Sequence, residues 1–228
     1  MNHNLKAIML ILFGILLLTA CSKEEDSIFL TQEERDWLEE HQGRIRIGYT
    51  TDYPPVEFLE DKNYVGMSAD YFSLLEEKLN IDIKMVRFEN WGALLQAAKD
   101  KQLTGITAAT KTEERSDYLE FTVPYIMNPN VIITRKNFSG KLSFEKLTNA
   151  SMKVLVVEGY SIVEELARDY PKLEYETVVD ASEGMRKVSF SEADVLIVEV
   201  MSAAASIERD HISNLVVNTE VPYDSNLS

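Results

Sequence analysis

The chain contains little cysteine, little histidine and little positive charge. Of its 228 residues, one is cysteine (Cys21) and three are histidine (His3, His41 and His211). One cysteine cannot form an internal disulfide, and histidines this far apart give none of the spacings that zinc sites use. The sequence therefore predicts no disulfide, no metal site and no cofactor.

Acidic residues outnumber basic ones. The 38 Asp and Glu residues against 23 Lys and Arg give a formal net charge of −15. Because nucleic acids bind basic surfaces, we expect no nucleic acid among the partners. A polybasic membrane-binding patch is disfavoured for the same reason. We interpret the excess of acid as a solvated surface.

The apolar run at the N-terminus is short for a membrane-spanning helix. Ala7 to Ala20 gives about 14 residues after Lys6, whereas a spanning helix needs about 20. Such a run is typical of a signal peptide. The residues Leu18-Thr19-Ala20-Cys21 resemble a bacterial lipobox, in which the cysteine thiol carries a lipid. The sequence thus predicts an exported protein, periplasmic or on the cell surface, anchored to the membrane at Cys21. The alternative is an uncleaved anchor helix with a chance cysteine.

Strand and helix patterns alternate through the rest of the chain. Thr31 and Glu34 form a capping box, which predicts a helix to about His41. Two further series of strands and helices predict α/β layers with largely parallel sheets. The predicted strands are 44–47, 81–86, 106–109 and 131–134, then 152–157, 175–179, 194–198 and 215–217. The predicted helices are 68–79, 91–98, 143–147, 162–168, 182–188 and 201–208, with Asn90, Ser143 and Ser182 as caps.

Four motifs in order resemble the bacterial solute-binding proteins of family 3. They are the runs Gly48 to Phe58, Tyr64 to Tyr71, Thr110 to Arg115 and Phe121 to Tyr125. The segment Leu30 to Glu34 ahead of them is most similar to the flytrap domains of sensor kinases and diguanylate cyclases. The resemblance implies a two-lobed type II periplasmic-binding fold, also called a venus flytrap. Thr104 and Lys101 depart from it, since relatives commonly carry aspartate and glycine there.

The resemblance also implies an order of domains. Residues 1–20 are expected to be a lipoprotein signal peptide, and 21–43 a tether and N-terminal helix. Lobe 1 is expected at 44–134, a hinge at 135–140 and lobe 2 at 141–218. In this fold the chain returns to lobe 1, and 219–228 looks like the start of that return. The first lobe is therefore expected to lack its C-terminal return segment.

On the first lobe the resemblance implies four ligand positions. Arg115 matches the arginine that grips the ligand carboxylate, and Thr112 is expected to cap its short helix. The other reading of Arg115 is a surface arginine paired with a neighbouring acid (Glu113, Glu114 or Asp117). Thr110 matches a hydroxyl that contacts the carboxylate, while Ala108 stands where many relatives have another hydroxyl. Tyr53 matches an aromatic over the ligand, or else it packs in its own turn on Pro54 and Pro55.

On the second lobe three residues are candidates. Tyr160 and Ser161 follow Gly159 where a strand turns into a helix, and backbone N–H groups at a helix start suit an anion. The simpler reading is a turn with a serine cap. Glu199 directly follows an apolar strand, where many amino-acid binders have an aspartate that holds the ammonium group. Otherwise it is an exposed loop acid.

The resemblance favours a binding protein that is not an enzyme. The predicted function is capture of a small ligand, an amino acid or related carboxylate, by hinge closure, for uptake through an ABC permease. One alternative is a ligand-sensing domain severed from a signalling protein, with a sensor partner. A second is a dehydratase-like enzyme on the same fold.

Overall fold

The computed structural model describes residues 28–228, and the chain divides into two units between residues 39 and 40. In the first unit the capping box is confirmed: the Thr31 N–H donates to Glu34 Oε2 (2.7 Å), and the Glu34 N–H donates to Thr31 Oγ1 (3.3 Å). The helix that follows, α1, spans Gln32–His41. The predicted signal peptide and the lipobox at Cys21 lie outside the described residues.

The larger unit begins with a three-stranded parallel sheet. The strand that comes first in the chain lies at the centre of this sheet. Two helices follow its first two strands, and Asn90 caps the second as predicted by accepting from the Ala93 N–H (2.9 Å). These elements are β1 (Arg46–Tyr49), α2 (Met67–Leu79), β5 (Lys84–Arg87), α3 (Trp91–Lys99) and β6 (Gly105–Ile106).

An antiparallel meander lies between β1 and α2. Its strands are β2 (Asp52–Tyr53), β3 (Glu57–Glu60) and β4 (Asn63–Val65). We predicted no strands here, because segments of two to four residues are too short to show a period of two. A single-turn helix, α4 (Glu113–Ser116), follows β6. We call the first sheet, this meander and α2 to α4 lobe 1.

The second sheet has five strands: β7 (Ile126–Arg135), β8 (Val154–Val157), β9 (Glu176–Val178), β10 (Val195–Glu199) and β11 (Leu215–Leu227). Their order is β11-β7-β10-β8-β9. Strands β8, β9 and β10 are parallel, whereas β7 and β11 are antiparallel to their neighbours. Buried apolar clusters cover both faces, which explains the continuous apolar runs of its central strands. We call this sheet and its helices lobe 2. Its helices are α5 (Phe144–Thr148), α6 (Ser161–Asp169), α7 (Ala181–Ser189) and α8 (Val200–Arg209).

Of two predicted helix caps in lobe 2, one is confirmed and one is wrong. Ser143 caps α5 as expected, through the Lys146 N–H (3.4 Å). Helix α7, however, is capped by Asp180, which accepts from the Glu183 N–H (2.7 Å). Ser182 instead is buried and donates to Ser206 (3.2 Å). Aspartate and serine are equally good N-caps. Because Asp180 lies two residues before Ser182, α7 begins earlier than the predicted helix.

Strands β7 and β11 run along both lobes. Ile126 and Leu227 pack with Val56 and Ala108 of lobe 1, while the far end of β7 pairs with β10. Residues 131–134, expected in lobe 1, therefore lie in the second sheet, because one long strand crosses between the lobes. The domain boundaries given above stay predictions. Within residues 28–228, no helix is both long and apolar enough to cross a membrane.

Candidate functional site

A cleft with a cavity volume of about 70 Å³, open to solvent at its mouth, lies between the two lobes. It lies where loops leave the carboxyl ends of parallel strands β1, β8, β9 and β10, the usual location of ligand sites in α/β sheets. The structure brings all seven predicted ligand residues to its lining: Tyr53, Ala108, Thr110, Arg115, Tyr160, Ser161 and Glu199. Their roles in binding stay predictions.

Arg115 is the buried cation of the cleft. Thr112 caps the one-turn helix α4, as predicted, by accepting from the Arg115 N–H (3.2 Å). The residue is only 4% exposed, so the reading as a surface arginine is wrong. Its Nη1 donates to the Thr110 carbonyl (3.0 Å), and its Nη2 donates to the Gly159 carbonyl of lobe 2 (3.1 Å). Nη2 also forms an ion pair with Glu164 Oε1 of α6 (3.1 Å).

Two buried N–H donors of the cleft have no acceptor among the described residues. One is Arg115 Nε and the other is Trp91 Nε1. The guanidinium carbon lies 5.3 Å from the centre of the Trp91 ring, within the range of a cation–π contact. A buried donor without a partner costs free energy.

Glu199 is the buried acid of the cleft. It ends β10 and is 3% exposed, so the reading as an exposed loop acid is wrong. Its carboxylate accepts from the Tyr53 hydroxyl and from Asn128 Nδ2 (3.2 Å). Burial raises the pKa of Glu199 to about 7, although Ser225 and Tyr53 oppose the rise by hydrogen bonding. The carboxyl group therefore changes charge near neutral pH.

Two tyrosines form an aromatic wall beside Glu199. The rings of Tyr53 (lobe 1) and Tyr160 (lobe 2) meet edge to face, with centroids 5.6 Å apart. The Tyr160 hydroxyl lies 3.4 Å from Ser202 Oγ. Burial, followed by the nearby Glu199 charge, raises the pKa of both phenols well above the ordinary value. Both hydroxyls therefore stay protonated as hydrogen-bond donors.

The remaining predicted residues contribute backbone and small side chains. Thr110 is buried, and its backbone carbonyl accepts a hydrogen bond from Arg115 Nη1. Ala108 packs in the apolar cluster that joins the lobes. Ser161 is the first residue of α6 rather than its cap, and its hydroxyl lies 3.3 Å from Ser225 Oγ.

Two buried residues at the site, Asn128 and Glu57, are not among those predicted from the sequence. Asn128 donates to Glu199 and also accepts from the Met201 N–H (3.1 Å); its signal was an amide side chain in a mostly apolar strand. Glu57 is buried at the cleft, where its carboxylate accepts from the Thr50 N–H (3.0 Å) and from Thr107 Oγ1. Burial raises the pKa of Glu57.

The charged lining of the cleft is mostly acidic. Besides Arg115, the charged residues that the structure describes along the cleft are all acids: Asp52, Glu57, Glu158, Asp180 and Glu199. Asp52 and Asp180 lie close enough to Tyr160 to raise the pKa of its phenol. The cleft therefore presents one cation, already ion-paired, among several acids.

Comparison with known proteins identifies the family. The model of the bacterial extracellular solute-binding proteins, family 3, matches residues 45–211. The virulence sensor protein BvgS of Bordetella pertussis is 24% identical over 169 residues, which are 74% of this chain but 13% of that protein.

Solved structures agree on the fold. A crystal structure of the BvgS VFT2 domain of Bordetella pertussis has a TM-score of 0.74 at 20% identity, covering 87% of this chain and 84% of that one. Holo ArgBP of T. maritima has a TM-score of 0.67 at 23% identity, covering 82% of each chain. These likenesses show a two-lobed flytrap fold, and the match of the family model shows that the chain belongs to the bacterial extracellular solute-binding proteins, family 3.

Proposed function

We propose that this protein captures a small amino-acid-like ligand outside the cytoplasm by closing its two lobes. The observation that carries the proposal is that a buried cation, Arg115, and a buried acid, Glu199, line one cleft. An amino acid carries the complementary pair of charges: its carboxylate suits a guanidinium, and its ammonium suits a buried carboxylate that would otherwise be uncompensated.

The ligand would stabilise the closed arrangement by contacting both lobes. Tyr53 and Arg115 belong to lobe 1, whereas Tyr160 and Glu199 belong to lobe 2. The contacts of Arg115 with Gly159 and of Tyr53 with Glu199 already join the lobes across the cleft. A ligand held by the same groups favours closure, because it binds the closed state better than the open one.

The charge of the lining supports a basic side chain on this ligand. Asp52, Glu158 and Asp180 add negative charge beside the aromatic wall, and a cation is favoured both by acids and by aromatic faces. The likeness to ArgBP points in the same direction. We therefore choose L-arginine as the first probe.

The test is a thermal-shift screen of the twenty standard amino acids, because a ligand that binds only the folded state raises Tm. We expect L-arginine to give the largest shift and Arg115→Ala to lower its affinity by more than about tenfold. A screen without any hit, or a hit whose affinity Arg115→Ala leaves unchanged, would contradict the proposal. Turnover of prephenate or arogenate would instead favour the enzyme.

A sensor domain is the second candidate. The similarity to the virulence sensor BvgS, which covers 74% of this chain, favours it. Experiments on cells that lack the protein distinguish transport from sensing. Reduced uptake of radiolabelled L-arginine indicates transport through a permease. Unchanged uptake together with a lost transcriptional response to L-arginine indicates sensing.

We further propose that the chain is a lipoprotein anchored at Cys21. The support is the lipobox-like sequence before this cysteine. Mass spectrometry of the membrane fraction should find a diacylglyceryl group on an N-terminal Cys21. An unmodified N-terminus at Met1 would contradict the proposal.

A further inference from the structure

Asn128 lies behind Glu199, on the strand that crosses between the lobes. It belongs to β7 and is fully buried. Its Oδ1 accepts from the Met201 N–H in the first turn of α8 (3.1 Å). Its Nδ2 donates to Glu199 Oε2 (3.2 Å) and to the Tyr53 hydroxyl (3.3 Å). One amide group therefore joins the acid of lobe 2 to a tyrosine of lobe 1.

These contacts fix which way the amide of Asn128 faces. A backbone N–H can only donate, so the group that faces Met201 has to be the amide oxygen. The NH2 group is then left facing Glu199 and the Tyr53 hydroxyl. Turning the amide around would bring its oxygen to the carboxylate and would leave the Met201 N–H without this acceptor. Asn128 therefore presents only donors to Glu199.

A group that can only donate distinguishes the two charge states of Glu199. The hydroxyls of Ser225, Tyr53 and Ser202 also hydrogen bond to this carboxyl group, but a hydroxyl can donate or accept and rotates to suit either charge state. The NH2 group of Asn128 cannot accept the proton of a neutral carboxyl group. Because it donates to the charged form, it favours that form and opposes the cost of burying the charge.

We propose that Asn128 is a positioning residue that keeps Glu199 ionised for the ammonium group of the ligand. The proposal rests on the proposed function and adds a residue to its site. Asn128 is not among the described residues that line the cleft, so it acts through Glu199 rather than on the ligand.

Ionisable groups face Glu199 from several neighbouring elements. They include Tyr53 of β2, Tyr160 ahead of α6 and Arg115 of α4, whereas β7, β11 and α8 contact it through uncharged side chains. Burial raises the pKa of both phenols well above the ordinary value, so they stay protonated, and an arginine keeps its charge in proteins. Between pH 6 and pH 8.5 the charge that changes in this group is therefore that of Glu199.

The test measures the affinity of Asn128→Leu for L-arginine by titration calorimetry on the full chain, at pH 6 and pH 8.5. Loss of a hydrogen bond to the charged form should raise the pH at which Glu199 ionises by about one unit. Affinity should then fall about tenfold at pH 6 but stay within about twofold at pH 8.5, where Glu199 is ionised in both chains. A residue that only supports the fold would weaken binding equally at both pH values.

Asn218→Leu is the matched control. Asn218 lies on β11 and is also buried. Its amide has the same two kinds of contact, since it accepts from the Leu142 N–H (2.9 Å) and donates to the Gly140 carbonyl (2.9 Å). Its loss should therefore destabilise the fold in a similar way but leave the ratio of the two affinities unchanged.

A second readout needs no ligand. Infrared difference spectra follow the C=O band of the protonated Glu199 carboxyl group, which Glu199→Gln identifies by its loss. In Asn128→Leu this band should persist to a pH about one unit higher than in the wild type. If Asn128→Leu does not fold, Asn128→Ala, which only removes side-chain atoms, is measured in its place with the same expectation.

The outcomes separate the two proposals. A wild-type chain that binds no amino acid overturns the proposed function, and with it the role of Asn128 toward an ammonium group. If L-arginine binds but Asn128→Leu leaves its affinity at pH 6 unchanged, or lowers it equally at both pH values, Asn128 does not act through the charge of Glu199 and the inference is wrong. An infrared titration that does not shift also overturns it.

Discussion

The two lobes differ in how completely they bury their apolar residues. In lobe 2 every residue of β8 and β10 is buried, and apolar clusters lie on both sides of the sheet. In lobe 1 no residue of β5 is buried, and α2 buries only Ser68. Tyr71 and Leu74 on α2 are 39% and 48% exposed. Burial of apolar area is the main favourable term in folding, so most of the stability should come from lobe 2.

The two lobes also differ in how they position the residues of the cleft. Lobe 2 provides a rigid sheet whose β10 ends in Glu199, while lobe 1 brings Arg115 and Tyr53 on short elements with fewer buried contacts. The less stable part of a protein is commonly the part that moves on binding. Ligand binding should therefore stabilise lobe 1 more than lobe 2.

The largest expected effect is a core truncation in lobe 2. Leu196 is fully buried in the cluster beneath α7, so Leu196→Ala should lower the free energy of unfolding by about 3–5 kcal/mol. The matched change in lobe 1, Leu74→Ala, should cost less than about 1 kcal/mol because this side chain is half exposed. Urea denaturation measures both. Similar losses would show that the lobes do not differ as described.

The raised pKa of Glu199 predicts how the stability of the protein depends on pH. Burial raises its pKa in the folded protein to about 7, above the ordinary value, so the folded state binds a proton that the unfolded state has lost. Its contribution is fully present below about pH 4.5 and is lost as pH rises to about 7, amounting to about 3 kcal/mol. Urea denaturation at pH 5 and pH 8 should show this loss in the wild type relative to Glu199→Gln. Parallel profiles would mean that Glu199 is not buried in solution and that the lobes stand apart.

Ligand binding should show the opposite dependence on pH. An ammonium group pairs with the ionised form of Glu199, so affinity for L-arginine should fall by up to about tenfold per pH unit below pH 7. Glu199→Gln should bind weakly at every pH. Calorimetry between pH 5.5 and 8 measures how the affinity depends on pH. An affinity of the wild type that does not change with pH would show that Glu199 does not bind the ammonium group.

Gly159 tests the contact between the lobes. Its φ is +77°, and an added Cβ would lie 2.9 Å from Trp91 Cδ1 of lobe 1. Gly140 is a matched control, because its φ is +91° and a Cβ there would meet nothing within 4 Å. Both alanine variants should lose about 1 kcal/mol of stability from backbone strain. Only Gly159→Ala should also prevent closure and weaken L-arginine binding about tenfold or more; equal binding by both variants would show that closure does not need this contact.

The fold was largely predictable where local patterns decide it. Strands β8 and β10 are continuous apolar runs because both faces of the sheet are covered, and the caps Asn90 and Thr112 act as their positions indicated. The meander was not predictable from periodicity, since its strands have two to four residues. The long crossing strand was also misassigned, because its two halves pack in different lobes.

The candidate site depended on resemblance more than on spacing. Nothing near Arg115 in the sequence predicts its burial, which comes from Gly159, 44 residues away, and from Glu164. Local reasoning favoured a surface ion pair for the same residue. Trp91 belongs to the predicted helix 91–98, and only the folded arrangement places its ring against Arg115. Contacts between distant segments carry no local signal, so these parts required the structure.

The smallest expected effect lies in lobe 1, at a position where the chain departs from its relatives. Lys101 has a φ of +55°, in the left-handed region, where the resemblance leads us to expect glycine. Lys101→Gly removes the strain of a side chain there but gives the unfolded chain more freedom, so stability should rise by no more than about 1 kcal/mol. Lys172→Gly, at a position outside the left-handed region, should instead destabilise. A higher free energy of unfolding for Lys101→Gly would show that backbone strain contributes to the lower stability of lobe 1. If Lys101→Gly lowers the free energy of unfolding as much as Lys172→Gly does, the lower stability of lobe 1 is due to the exposure of α2 alone.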